Sequence, residues 1–184
     1  MGLDLIVERS HIKEDGISGV SCCGANKTET LKSVLDREGF DGVIVSIRRD
    51  EHSSRAKERT FSPRTKDLAW ADKDQPAETW NFTSGMDESD HVRIHPLLHW
   101  TEIDVWRYVK QESLPVNPLY FSVDGKRYRS LGCTRCTVAV GSSAQSVDDF
   151  IEELRMTQIE ERSGRAQDKE KEHVMQRLRA LGYM

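Results

Sequence analysis

The four cysteines are the residues whose types and spacing most directly indicate chemistry. Cys22 and Cys23 are adjacent, whereas Cys133 and Cys136 have the C-x-x-C spacing that aims two sulfurs at one point. Four thiolates complete a tetrahedral metal site or hold an iron–sulfur cluster, although zinc sites usually combine two spaced C-x-x-C pairs. The alternative is a set of unligated thiols, which are common core residues. We expect one metal site shared by the two pairs.

A second group of candidate residues is cationic and follows an apolar run at 40–47, which predicts a strand covered on both faces. Ligands of open α/β sheets bind outside the carboxyl ends of strands, and arginine offers forked donors to phosphate or sulfate. The alternative is a solvated charged segment that binds no anion, since nearby carboxylates offset much of the positive charge. The five cations are Arg48, Arg49, Arg55, Lys57 and Arg59. We expect Arg48 and Arg49 to share a pocket with some of the other three.

Lys27 is the remaining cation with a candidate role, because it lies close in sequence to Cys22 and Cys23. The run 27–38 places its apolar residues on one helical face, and Gly39 is well placed to end the helix. Lys27 then lies near the start of this helix. A solvated lysine in the first turn is the alternative.

The elements that position these residues predict an α/β domain. We expect strands at 3–7 and 43–47 to be parallel neighbours, joined by a right-handed crossover through the helix 27–38. A strand that starts almost at the first residue suggests that an upstream part is missing. The predicted organisation is a partial α/β domain over 1–145 and a helical tail over 146–184.

The middle of the chain is less regular. Residues 63–90 are polar without a clear period, and 91–97 alternates like a short strand closed by Pro96. His91, His95 and His99 have a four-residue spacing that would suggest a metal site on a helix. Because the alternation and the proline argue against a helix here, we do not expect them to be metal ligands.

Two later helices have recognisable starts. Thr101 is positioned to cap a helix over 101–109, with Ile103 and Trp106 facing inward. Ser146 and Asp149 have the spacing of a capping box for the next helix. A second, highly charged tail helix is predicted at 169–181.

Composition excludes several classes of function. The 184 residues are enough for one domain with a real core, and the formal net charge of -4 argues against a general nucleic-acid coat or an anionic-membrane binder. No apolar run approaches the roughly 20 residues that span a bilayer. We therefore expect a cytoplasmic protein, in which clustered cysteines remain reduced.

Several stretches together resemble the small, ATP-handling subunit of bacterial sulfate adenylyltransferase, within the superfamily of adenylyl-sulfate (APS) and PAPS reductases. The similarity covers nearly the whole chain. Its motifs are Lys27-Thr-Glu-x-Leu-Lys, Arg48-Arg-Asp-Glu, Ser54-Arg-Ala-Lys-Glu-Arg59, Trp100-Thr-Glu-x-Asp-Val-Trp106, Pro118-Leu-Tyr120, Arg129-Ser-Leu-Gly-Cys133 and Glu161-Arg-x-Gly-Arg165 through Gly182-Tyr183.

The resemblance implies a Rossmann-like, three-layer fold of the adenine-nucleotide-hydrolase type with a parallel sheet. It also implies that the partial domain over 1–145 binds a nucleotide or adenylyl sulfate. It implies formation of adenylyl sulfate from ATP and sulfate, with a GTPase large subunit as partner or a homo-oligomer as the alternative. Lys27, Arg48 and Arg49 would be catalytic. The substrate-binding residues would be Asp50, Arg55, Lys57, Arg59 and Arg129.

Two departures from the family pattern qualify this expectation. The Ser-Gly-Gly-x-Asp-Ser pyrophosphate loop is absent from the sequence, so we expect a truncated fold and no ATP chemistry by this chain alone. The pairs Cys22-Cys23 and Cys133-x-x-Cys136 instead resemble the ligands of the 4Fe–4S cluster in APS reductases, which favours that cluster over zinc. The reductase's catalytic cysteine has no counterpart, since no cysteine follows Cys136.

Two further functions remain open at this point. One is an iron–sulfur member of the same superfamily that adenylates and thiolates a substrate, for which the acidic balance gives no support to a nucleic-acid substrate. The other is a non-catalytic fragment or binding subunit without the ATP loop.

Overall fold

The computed structural model describes residues 4–10, 24–52, 55–56, 58–65, 91–132 and 137–164. Within these ranges the chain combines helices with a mixed sheet and is therefore an α/β protein. The helices are α1 (Thr30–Glu38), α2 (Glu102–Gln111) and α3 (Val147–Met156). The strands are β1 (Gly42–Ile44), β2 (Phe61–Arg64), β3 (His91–Ile94), β4 (Lys126–Arg127) and β5 (Val140–Gly141).

The main sheet has three described strands in the order β1-β3-β2. β1 is parallel to β3, whereas β2 is antiparallel to it. The predicted parallel sheet is therefore found for β1 and β3, whereas β2 makes the described sheet a mixed one. β2 was missed because Pro63 interrupts its pattern, yet proline is tolerated on an edge strand, which is the place that β2 occupies among the described strands.

The predicted pairing of strands 3–7 and 43–47 is wrong. Residues 4–7 are not in a strand, and Leu5 is 84% exposed. The partner of β1 is instead β3, with Val43 opposite Arg93. β1 is shorter than predicted and is not covered on both faces, since Ile44 is 72% exposed. An apolar run becomes a buried strand only where another layer packs against it, and no described element covers this side of Ile44.

The helix starts and stops follow the predicted chemistry. A π-helical turn at Gly24–Glu29 leads into α1, which ends at Gly39 with a left-handed φ of 65° that suits glycine. Thr101 and Asp104 form a capping box at the start of α2, and Ser146 and Asp149 form one at α3. These caps are confirmed. The predicted helix at 169–181 lies outside the described residues.

The described core lies mainly between α2 and α3. Phe150 is fully buried, with its ring centroid 4.6 Å from that of Trp106 and 5.3 Å from that of Phe121. The Arg127 guanidinium of β4 lies over the same ring, 4.7 Å from its centroid. This packing fixes α2 against the hairpin of β4 and β5 and so positions the residues that follow both elements.

Candidate functional site

Polar residues at the carboxyl ends of β1 and β3 meet at one edge of the sheet. The Arg49 backbone N–H donates to the Leu98 carbonyl (3.0 Å), which joins the chain after β1 to the chain after β3. The His95 N–H donates to the Thr60 carbonyl (2.8 Å), directly before β2. The segments before β2 and after β1 and β3 therefore lie together, at the edge where α/β sheets bind ligands.

One cluster at this edge is a buried ion-pair network around two arginines. Arg48 Nε lies 3.1 Å from Asp50 Oδ1, and Arg48 Nη2 contacts the Glu161 carboxylate. Arg129 Nη2 lies 2.5 Å from Glu102 Oε2. Both arginines are buried. Their charge is thus balanced by carboxylates of the protein itself, and we name these five residues the ion-pair network.

Glu161 is the unusual member of the network. Its burial, followed by repulsion from Glu102, raises the pKa of the Glu161 carboxyl from 4.5 to about 7, although the Arg48 guanidinium opposes the rise. A carboxyl with this pKa exists in both protonation states near neutral pH. It can therefore hold or release a proton within the network.

All members of the network except Asp50 line a cavity of about 240 Å³ and form its charged wall. The rest of the wall comes from α2 and from the connector 115–120, and it includes Trp106 and Tyr120. Asp50 also ties the network to α2, because its Oδ2 accepts a hydrogen bond of 2.6 Å from the Glu102 N–H. A carboxylate at a helix N-terminus interacts favourably with the helix dipole.

A second cluster surrounds Glu58 and is cationic. Arg49 Nη2 donates to the Glu58 carbonyl (2.9 Å), and Arg64 Nη2 lies 3.3 Å from Glu58 Oε2. The Arg59 carbonyl accepts a hydrogen bond from His95 Nδ1 at 2.7 Å. Burial and repulsion from neighbouring arginines lower the pKa of Arg64. Counted over the described residues alone, this cluster, unlike the network, has more cations than carboxylates.

The structure thus separates two residues that are adjacent in sequence. Arg48 enters the ion-pair network, whereas Arg49 enters the cationic cluster together with Arg59. Arg55 lies within electrostatic range of Arg64 in the same cluster. The expectation that Arg48 and Arg49 share one pocket is wrong. Consecutive side chains leave an extended backbone in opposite directions, and Arg48 is extended, with φ of -122° and ψ of 149°.

The other predicted site residues are placed as follows. Lys27 is exposed in the π-helical turn before α1, and Asp50 and Arg129 lie in the ion-pair network. Five predicted residues lie outside the described residues, so their roles stay predictions. These are Lys57, Cys22, Cys23, Cys133 and Cys136.

Sequence reasoning missed several residues of both clusters. Arg64 and Arg93 could have been found by recognising β2 and asking which side chains share a face with the alternating run from His91 to His95. Glu102 and Glu161 gave no such signal, because charged residues near a helix N-terminus or in a charged tail are usually solvated.

Two broader features can be stated for the part of the chain that the structure describes. No helix there has the length and apolarity needed to cross a membrane. Over the same ranges, no three or more His, Cys, Asp or Glu side chains are grouped so that they could hold a metal ion. The four cysteines lie outside these ranges.

Comparison with known proteins gives a consistent result. Residues 6–139 match the family model of the phosphoadenosine phosphosulfate reductase domain. The chain is 38% identical over 221 aligned positions to a sulfate adenylyltransferase subunit 2 of Azospirillum brasilense, and the match covers the whole chain and 73% of that relative.

Two other relatives carry the same name. The chain is 35% identical over 222 positions to a sulfate adenylyltransferase subunit 2 of Chromohalobacter salexigens and 36% identical over 222 positions to that of Saccharophagus degradans. Each match covers the whole chain and 72% of the relative.

Proposed function

The chain belongs to the family of sulfate adenylyltransferase small subunits, within the wider family of the phosphoadenosine phosphosulfate reductase domain, and on this premise we propose that it acts in sulfate activation. The reaction joins ATP and sulfate to form adenylyl sulfate. A sulfate oxygen attacks the α-phosphorus of ATP, the bond to the β-phosphate oxygen breaks, and pyrophosphate leaves with that electron pair. The similarity over the whole chain carries this assignment.

The cationic cluster around Glu58 supports the same function. Both substrates and both products of this reaction are anions, and Arg49, Arg55 and Arg59 provide charge at the carboxyl edge of β1 and β3. We assign Lys57 to this group from its position in the sequence. Cations fixed in place before the substrates bind can stabilise charge on the attacking sulfate and the leaving pyrophosphate without reorganising during the reaction.

We assign Arg48 and Arg129 a part that differs from the one their sequence motifs imply. Both guanidinium groups are already held by carboxylates, so a substrate anion would have to displace Glu161 or Glu102 to reach them. Asp50 likewise bonds to the N-terminus of α2. We propose that these three residues fix the segment after β1, and thereby Arg49, rather than bind substrate themselves.

The finer architecture and the partner are also part of this proposal. The parallel pair of β1 and β3 is compatible with a Rossmann-like, adenine-nucleotide-hydrolase fold. ATP binding would depend on a pyrophosphate loop, which is not in these 184 residues. The relatives are named as one subunit of an enzyme, which supports a large subunit as partner.

The cysteines fit an iron–sulfur cluster in number and in type of donor, since four thiolates are the usual ligand set. We propose that Cys22, Cys23, Cys133 and Cys136 hold such a cluster, with zinc as the alternative. Lys27 follows the first pair by a few residues and is exposed, so its cationic group is available to an anion near that site.

The test is the turnover of Arg49→Ala, measured as sulfate-dependent release of pyrophosphate from ATP. The enzyme form used should carry the pyrophosphate loop and the large subunit. We expect kcat/KM to fall by about 100-fold, a typical cost of removing one fixed charge from a transition state. The free energy of unfolding, measured in parallel, should change much less.

Arg107→Ala is the matched control, because this arginine of α2 is exposed and pairs only loosely with Asp104 among the described residues (3.7 Å). Its kinetics should equal those of the unmodified enzyme. Unchanged turnover in Arg49→Ala would return the cationic cluster to the solvated-surface interpretation. Absence of any sulfate-dependent pyrophosphate release by the unmodified enzyme would refute the proposed function.

A further inference from the structure

The part of the main sheet formed by β2 and β3 has one face that is polar and cationic instead of apolar. In the pairing of β2 with β3, Ser62 lies opposite Arg93 and Arg64 lies opposite His91. Directly opposite residues of an antiparallel pair share a face, as do alternate residues along each strand. These four side chains therefore lie on the same side of the sheet. We call them the β2–β3 face.

The β2–β3 face is also buried. The exposed fractions are 0% for Ser62, 3% for His91 and 6% for Arg64. Arg93 is half-buried. A buried sheet face is normally apolar, because burying charge costs free energy unless the charge is paired. This face needs a counter-charge to explain its composition.

Among the residues that the structure describes, little negative charge lies near this face. Glu58 pairs with Arg64, and Asp41 attracts His91. Arg93 makes no hydrogen bond or ion pair with the residues that the structure describes, while it repels Arg64 and His91. Burial, and then repulsion from Arg93 and Arg64, lowers the pKa of His91, as expected for an imidazole in a positive field.

Several polar atoms of the face are buried without a partner among the described residues. They are Arg64 Nε and both ring nitrogens of His91. A buried donor without an acceptor costs about 1–3 kcal/mol, so such atoms usually face a ligand or an ordered water. The cationic surroundings favour an anion.

We propose that the β2–β3 face is a binding site for a compact tetrahedral oxyanion, with Arg64 and Arg93 as its cationic ligands and a ring N–H of His91 as a neutral donor. Guanidinium groups match the oxygen spacing of such an anion. His95, the next residue along this side, already donates from Nδ1 to the Arg59 carbonyl. Its Nε2 is therefore an acceptor in the neutral ring and is not included among the ligands.

The occupant that fits the proposed function is the substrate sulfate, and this identification rests on that function. The proposal that the face binds a tetrahedral oxyanion does not depend on the proposed function. A phosphate group of the nucleotide has the same shape and charge, so the test must separate the two sources. The site joins the cationic cluster through Glu58, which contacts both Arg49 and Arg64.

The experiment is equilibrium dialysis of radiolabelled inorganic sulfate at constant ionic strength, without nucleotide, in the unmodified enzyme and in Arg93→Met. We expect Arg93→Met to raise the Kd for sulfate at least about tenfold, since one charge-assisted contact contributes this much. Arg107→Met, which changes an exposed arginine of α2, should leave Kd within about twofold. Equal Kd values in Arg93→Met and the unmodified enzyme would overturn the site.

A stability measurement separates lost binding from lost folding. Without sulfate, Arg93→Met removes a cation that has no counter-ion among the described residues, so its Tm should equal or exceed that of the unmodified enzyme. The rise in Tm that sulfate produces should be lost. A lower Tm for Arg93→Met in sulfate-free buffer would mean that Arg93 has a structural role, and this too would overturn the proposal.

Competition identifies the source of the anion. If free sulfate is the occupant, a non-hydrolysable ATP analogue and pyrophosphate should not displace labelled sulfate. Displacement by either would assign the face to nucleotide phosphates and overturn the sulfate assignment. An enzyme that binds sulfate at this face but forms no adenylyl sulfate would refute the proposed function alone.

Discussion

Arg48 and Arg49 have similar side chains and opposite surroundings. Arg48 contacts Asp50 and Glu161 in a site with more carboxylates than cations, whereas Arg49 lies beside other arginines. The first environment neutralises a guanidinium, whereas the second brings several guanidinium groups together among the described residues. At the scale of single residues, the partners of a cation therefore decide between a structural and a binding role.

Glu161 provides a prediction at this scale. Its folded-state pKa of about 7 exceeds its ordinary value of 4.5, so the folded protein binds a proton that the unfolded chain releases. This contribution to stability is fully present below about pH 4.5 and is lost as pH rises through about 7. In Glu161→Gln the side chain is neutral at every pH. We expect this variant to be more stable than the unmodified protein at about pH 8, by on the order of 2 kcal/mol, and equally stable near pH 4.5.

The measurement is urea unfolding of both proteins across this pH range. Burial is the main cause that lowers the pKa values of His91 and His95, and their contribution to the pH dependence of stability has the opposite sign. Both proteins contain these histidines, so this contribution cancels when the two are compared. Glu152→Gln on the exposed side of α3 is the control and should not alter the pH dependence. Parallel stability curves for Glu161→Gln and the unmodified protein would show that Glu161 is ionised throughout.

At the scale of elements, the helices could be predicted from sequence better than the strands. The caps at Thr101 and Ser146 depend on hydrogen bonds within a few residues, so local sequence specifies them. The partner of β1 depends on a contact between residues about 50 positions apart, Val43 and Arg93. The apolar run at 3–7 looked like that partner because sequence periodicity carries no information about pairing.

The packing of α2 against α3 gives the prediction at this scale. Phe150 is fully buried against Trp106, Phe121 and Arg127. We expect Phe150→Ala to reduce the free energy of unfolding by about 3–5 kcal/mol, since it leaves a cavity among rings that cannot collapse into it. Met156→Ala, at the exposed end of the same helix, should cost less than about 0.5 kcal/mol.

Chemical unfolding followed by tryptophan fluorescence measures both variants. Because Arg127 lies over the Phe150 ring and pairs with Glu153 (2.7 Å), the hairpin of β4 and β5 should loosen together with α3. Hydrogen exchange at Arg127 and Val140, which are paired across this hairpin, would detect this. A loss below about 1 kcal/mol for Phe150→Ala would contradict the assignment of this core.

At the scale of the molecule, the ion-pair network joins parts that are distant in sequence. Arg48 follows β1, Glu102 begins α2, Arg129 follows β4 and Glu161 lies beyond α3. The family could be recognised from linear motifs that contain several of these residues, but their pairing could not. A motif shows which residues occur together, whereas the protonation and partners of a buried carboxylate depend on the folded surroundings.

The four cysteines give the last prediction, which concerns the whole chain because it requires residues from both ends of the domain to meet. Cys22 and Cys23 come just before the π-helical turn, and Cys133 and Cys136 come just after the described residue Gly132. Ligands of one cubane cluster lie only a few ångströms apart, so a shared cluster would fix the start of α1 against the loop after β4.

Protein purified without oxygen should contain about four iron and four sulfide per chain and absorb in the visible range. Cys133→Ser should lose most of the iron and lower the Tm, since one missing thiolate opens the cluster and frees the loop from α1. About one zinc per chain, also lost in Cys133→Ser, would establish the zinc alternative instead. Four titratable thiols with neither metal would show that the cysteines hold no shared site, and α1 would then have to be positioned by its packing alone.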